Sequence, residues 1–240
     1  MNHGPECEGA GRRKKEDGVG IDLDAWIRRL DSAVERARAA DPMPDSLATA
    51  GDEFGHRRQI DRALLAWRSR NSASIGAVST LAATSAIQTD NPSTDVRLFE
   101  ALCDGHLDID ALLGPGPTLL DLDLRTIEVQ TERQLIAMHA CWALSRVRMR
   151  SDLRTRTLAS ARWFIEHLQP DNATNHPWAL HIFLLLSHID DALAGEAELY
   201  ADTMLVNAQV SLGRADRFSR VILEDCASEL RAFVAAEHDR

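Results

Sequence analysis

Apolar positions along this chain recur at intervals of three and four, and the pattern is densest at 131–189. There Leu135, Met138, His139 and Trp142 form one stripe and Ile136, Ala140, Ala143 and Val147 a second, so their helix must be covered on several sides. Thr131 and Gln134 have the spacing of a capping box, which predicts a helix start near Glu132. A second helix is predicted over 152–168 behind a Ser151 cap, with Leu158, Ala161, Ile165 and Leu168 inward and Arg154, Arg156 and Arg162 toward water. Pro170 stops it, because the residue before a proline is pushed out of the α region. After a polar loop, Pro177 sits where the first turn of a helix tolerates proline, with Asn175 or His176 as its cap. From Trp178 to Leu186 the sequence is apolar apart from His181, and far shorter than the roughly 20 residues that cross a bilayer. It reads as the central buried helix.

The remaining segments follow the same period. Leu23, Trp26, Ile27, Leu30, Val34 and Ala37 make one stripe of an amphipathic helix over 21–41, and 42–53 is a linker by its Pro, Gly, Asp and Ser content. Ile60, Ala63, Leu64 and Trp67 predict a helix over 56–70. Its neighbour, 71–88, is rich in Ala, Ser and Thr and suits close helix packing. Ser93 or Thr94 caps a short helix that Gly105 ends, 109–113 adds a helical turn or two, and the glycines and prolines of 114–117 stop the helical run. Only 119–130 alternates, briefly enough for an extended connector. Leu199, Tyr200, Met204, Leu205 and Ala208 predict a helix over 196–212 with Gly213 as a left-handed stop, and a last helix spans 215–236. The fold class is therefore all-α, built of helical hairpins over 54–240. Residues 1–20 lack any apolar period and read as a disordered tail.

Composition narrows the chemistry more than the fold. A net charge of -10 argues against nucleic-acid and membrane-surface partners, since neither polyanion attracts an acidic protein lacking a basic patch. Lysine occurs only at Lys14 and Lys15, in the tail. The folded part thus has no amine for a Schiff base, for anchoring pyridoxal phosphate or for a Walker-type phosphate site. Cys7, Cys103, Cys141 and Cys226 form no CxxC pair and read as reduced thiols; with no export signal in the first twenty residues, a cytoplasmic location is expected.

Two resemblances emerge from these patterns. Ser211 to Leu230, SLGRADRFSRVILEDCASEL, resembles the turn and second helix of a tetratricopeptide unit, without a 34-residue recurrence elsewhere. The alternation of buried helices with amphipathic ones over 54–240 is similar to an α/α toroid, which implies inner helices wrapped by outer ones, here as an incomplete ring or an irregular bundle. Terpene-cyclase members of that architecture carry Asp-x-Asp-Asp or Asp-Asp-x-x-Asp clusters. Asp121-Leu122-Asp123 and Asp190-Asp191 each lack a required acid, so cyclase chemistry is not implied.

No HExxH, GxSxG, GxGxxG or P-loop spacing occurs, and no cofactor is expected. His181 and His188 share a face of the central helix and His139 adjoins it; a metal site needs three or four convergent ligands, and buried hydrogen bonding is the expected role instead, because a polar ring inside a core must find a partner. A small-ligand site, if present, falls where the 171–175 loop meets the central helix, at Asp171, Asn172, Asn175, His176, Trp178 and His181. There a helix N-terminus suits an anion and Trp178 offers an apolar wall. The pattern points to a module that binds a protein partner or itself. The alternative is a toroid-type enzyme acting on a carbohydrate or lipid through acidic residues.

Overall fold

The computed structural model describes residues 21–41, 59–71, 92–121, 126–168 and 176–239. Among these the protein is all-helical: α1 (Leu23–Ala40), α2 (Gln59–Asn71), α3 (Thr94–Cys103), α4 (Ile127–Val147), α5 (Ser151–His167), α6 (Leu180–Ile189), α7 (Ala194–Val210) and α8 (Arg217–His238), with a 3-10 turn at Asp110–Leu112. The 1–20 tail, the 42–53 linker, the small-residue segment beyond Asn71 and the 171–175 loop lie outside the described residues. No described helix is long and apolar enough to cross a membrane.

Neighbours in sequence pair in space: α2 with α3, α3 with α4, α4 with α5, and α6 with α7. The two ends of the molecule's helical run meet where α1 packs along α8. At the centre is α6, whose residues from Leu180 through Ser187 are buried on every side, in contact with α4, α5, α7 and α8. An element without a polar face leaves the fold no other place for it.

The first helix docks within its own protomer. Asp22 caps it by accepting from the Ala25 amide at 2.9 Å, and Leu23, Trp26, Ile27, Leu30, Ala33, Val34 and Ala37 are buried. Ion pairs flank the seam: Asp31 with Arg231, Arg38 with Glu224, Asp41 with Arg217, and, reaching α7, Arg29 with Asp202. At the other end of the molecule Arg148 donates to the carbonyls of Ala101 (2.8 Å), Asp104 (2.6 Å) and Gly105. Its guanidinium thereby caps the C-terminus of α3 and fixes that helix against α4.

Several boundaries differ from those the spacing predicts. The helix expected near Glu132 begins at Ile127, inside the segment read as extended. Gln134 does not cap it; its amide accepts from the Leu120 N–H at 3.0 Å and donates to the Leu120 carbonyl at 2.6 Å, while Gln130 donates to the Asp121 carbonyl at 3.0 Å. The two glutamines thus take the place of a strand partner for the incoming loop. In α5 the buried face is Leu153, Thr157, Ser160, Ala161 and Phe164, with Leu158 and Ile165 half-buried, because Arg156 turns in to the Gly114 carbonyl and Arg154 lies over Trp142. Pro177 precedes the first turn of α6 instead of lying in it: Ala179, in the left-handed region (φ 60°), interrupts the run and the helix starts at Leu180. At the far end of α7, Gly213 does adopt the left-handed conformation (φ 68°). The cap of α8 is Asp216, accepting from Phe218 and Ser219 at 2.7 and 2.8 Å.

Candidate functional site

The junction singled out in the sequence is packed into the core. Trp178 and His181 are fully buried and His176 is 8% exposed; Asp171, Asn172 and Asn175 lie outside the described residues. His176 does not cap α6. The Ser219 hydroxyl donates to Asp216 Oδ2 at 2.9 Å, and its oxygen accepts from His176 Nδ1–H, also at 2.9 Å, which ties the turn before α6 to the cap of α8. Trp178 packs against Phe99 and edge-on to His139 and Phe218.

His139, on the buried face of α4, is the hub. Its Nδ1 accepts from the Ala179 amide at 3.1 Å, and therefore carries no proton; its Nε2–H donates to Asp225 Oδ2 at 2.8 Å. The other Asp225 oxygen accepts from Arg68 at 3.2 Å, and Arg68 also reaches Glu224 at 3.1 Å. One relay thus joins α2, α8, α4 and the turn that opens α6. It also gives the left-handed Ala179 its hydrogen-bond partner, an arrangement that offsets the cost of that backbone conformation.

Beside this hub stands a second polar pair. His181 Nδ1 lies 3.3 Å from Cys226 Sγ, which is itself 3.8 Å from the Pro177 carbonyl. Burial, with His139 and Arg146 adding to it, pushes the His181 pKa well below its usual value, so the ring is neutral. Burial pushes the Cys226 thiol up and raises Cys141 to about 12, which keeps both protonated. One ligand atom each from His139, His181 and Cys226 lies within 4.8 Å of the others. The two histidines are visible in the sequence as residues of buried helices. Cys226 is visible as a buried thiol of the last helix, but only the packing of α8 on α6 brings it to His181.

Toward the surface, Arg146 pairs with Glu229. Open grooves of about 450 Å³ lie on either side, one walled by Trp142, Arg154 and Phe233, the other by Trp67, Arg68 and Asp225. Burial raises the Glu229 pKa, with Arg146 opposing. The sign follows from linkage: a raised acid contributes stability below its unfolded pKa that is lost as pH rises through its folded one. Glu229→Gln, which never ionises, will flatten the stability profile above about pH 4.3, the unperturbed glutamate value. Urea unfolding across that range is the check, and a profile parallel to the parent's contradicts the assignment.

The remaining feature of note is the outer side of α7. Leu199, Val206 and Val210 are 61%, 46% and 71% exposed, and with Gly195 and Thr203 they form a stripe without charge. Leu199 faces out because Ala197, Tyr200, Ala201, Met204 and Leu205 take the inner side. The fold and these sites define an all-α, helical-hairpin protein. No protein-family model, curated protein or solved structure matches it in comparison.

Proposed function

We propose that this protein is a self-associating helical module whose contact face is the outer side of α7, with a second copy of itself as the partner. One observation carries the reading: α7 is apolar on two faces, and the described residues cover only one of them. Isolated exposed apolar residues are ordinary, but a continuous uncharged stripe along a helix marks a contact surface. The spacing 199, 203, 206, 210 follows the a/d seam by which helices pair, and Gly195 leaves room for close approach at one end. A two-fold contact of α7 on α7 would bury the same residues from both copies.

The acids in the described grooves support binding over catalysis. Asp225 is held by Arg68 and His139, Glu229 by Arg146 and Glu237 by His188 (3.2 Å), which leaves none of the three as a free acid–base group for a carbohydrate or lipid. Analytical ultracentrifugation of the full-length protein should give a dimer. Leu199→Glu and Val206→Glu should each weaken it by about 100-fold or more, because each puts an unpaired carboxylate into the contact, while folding stability moves by about 0.5 kcal/mol or less. A parent protein that stays monomeric at tens of micromolar overturns the proposal, as does a dimer indifferent to both charges.

A further inference from the structure

We infer that His139, His181 and Cys226 form a binding site for one zinc ion, with Asp225 as the positioning residue behind His139. The three donors come from α4, α6 and α8, all are buried, and one ligand atom from each falls within 4.8 Å of the others. Nitrogen and thiolate donors are the set zinc takes, and they exclude magnesium and calcium, which require oxygen.

His181 Nδ1 faces Cys226 Sγ and is the ring atom that meets the ion, while Nε2, on the far side of the ring, carries the proton.

The separation of His181 from Cys226 is close to that in a coordination shell. Zinc bonded to nitrogen at about 2.1 Å and to sulfur at about 2.3 Å sets them about 3.6 Å apart at the tetrahedral angle. His181 Nδ1 and Cys226 Sγ are 3.3 Å apart. Binding replaces the S–H bond by S–Zn and releases one proton. His139 presents the arrangement found behind metal-bound histidines: Asp225 accepts from Nε2–H and leaves Nδ1 as the ligand atom, which exchanges the Ala179 amide for the ion. Three protein donors leave one tetrahedral position for a non-protein ligand. The site is closed to solvent, so the ion enters as the protein folds.

The test uses full-length protein carrying Cys7→Ser, Cys103→Ser and Cys141→Ser, so that Cys226 is the sole thiol, refolded with cobalt(II) as the spectroscopic substitute for zinc. One equivalent should bind, with a sulfur-to-cobalt charge-transfer band in the near ultraviolet that zinc abolishes on displacement. Adding His181→Ala should remove the band. Asp225→Asn should weaken zinc binding by about 10–100-fold with unchanged helical circular dichroism, the loss typical when a histidine's supporting carboxylate is removed. Should the triple variant not fold, each of the three single serine variants must retain the band. No band in a natively folded protein that keeps Cys226 overturns the site, and so does a band that survives His181→Ala.

Discussion

His139→Ala will destabilise the protein by about 3–5 kcal/mol, measured by urea unfolding in the presence of a chelator. The figure combines two effects of known size. Removing a buried ring leaves a cavity, and each buried group that loses its partner costs about 1–3 kcal/mol, more where it is charged. The Ala179 amide is one such group, fully buried and in a backbone conformation that gives it no helical acceptor nearby; the Asp225 carboxylate is the other. Arg68 remains on Asp225 and keeps the loss from being larger. His139→Gln separates the hydrogen bonds from the volume. Its amide can accept from Ala179 and donate toward Asp225, so it should recover a substantial part of the loss. An alanine variant within about 1 kcal/mol of the parent, the scale of a single ordinary hydrogen bond, would show that the relay does not hold these helices.

The relay also marks the limit of what the residue pattern conveys. Helical period alone places α1, α6 and α8 to within a few residues, because a stripe or an unbroken apolar run needs no partner to be recognised. The glycine that ends α7 is equally plain, since the left-handed turn is a local property of Gly213. Features set by distant partners are hidden. Thr131 and Gln134 have capping-box spacing, yet Gln134 is claimed by Leu120, and the helix starts at Ile127 instead. Pro177 satisfies the rule for a first-turn proline, yet Ala179 gives its amide to His139 and delays the helix to Leu180. In both cases a tertiary hydrogen bond outweighs a local preference worth about 1 kcal/mol.

The same division applies to the candidate sites. His139 and His181 are conspicuous as polar rings in apolar helices, and they do lie together, with ring centroids 4.9 Å apart. Nothing in the sequence couples them to Cys226, which reads as one more small apolar position of α8. The side that Leu199 faces is hidden for a related reason. In a helix apolar on two faces, period cannot say which side the core takes; the answer comes from Tyr200 stacking on Phe183 at 4.3 Å, which sets the rotation of α7 and turns Leu199 outward.

Removing α1 should have the largest effect of any change considered. A protein beginning at Asp52 loses the buried side chains of Leu23, Trp26, Ile27, Leu30 and Val34, each worth about 1.5–3 kcal/mol of apolar burial. The gross loss is on the order of 10 kcal/mol, comparable with the whole stability of a typical domain at about 5–15 kcal/mol. The entropy regained by not ordering α1 offsets part of this, but it does nothing for the surface left behind. Arg217 loses the Asp41 carboxylate at 2.5 Å, and the deeply buried Arg220 loses the Asp41 carbonyl at 2.9 Å. The truncated protein should therefore be insoluble, or unfold without a cooperative transition, and light scattering should show heterogeneous aggregates rather than a discrete dimer. Leu30→Ala, at a fully buried position in the middle of the seam, tests the same contact in the intact protein and should cost about 2–5 kcal/mol. A truncated protein that melts cooperatively within a few degrees of the parent would mean that the α1–α8 seam contributes little, and that the core around α6 is self-sufficient.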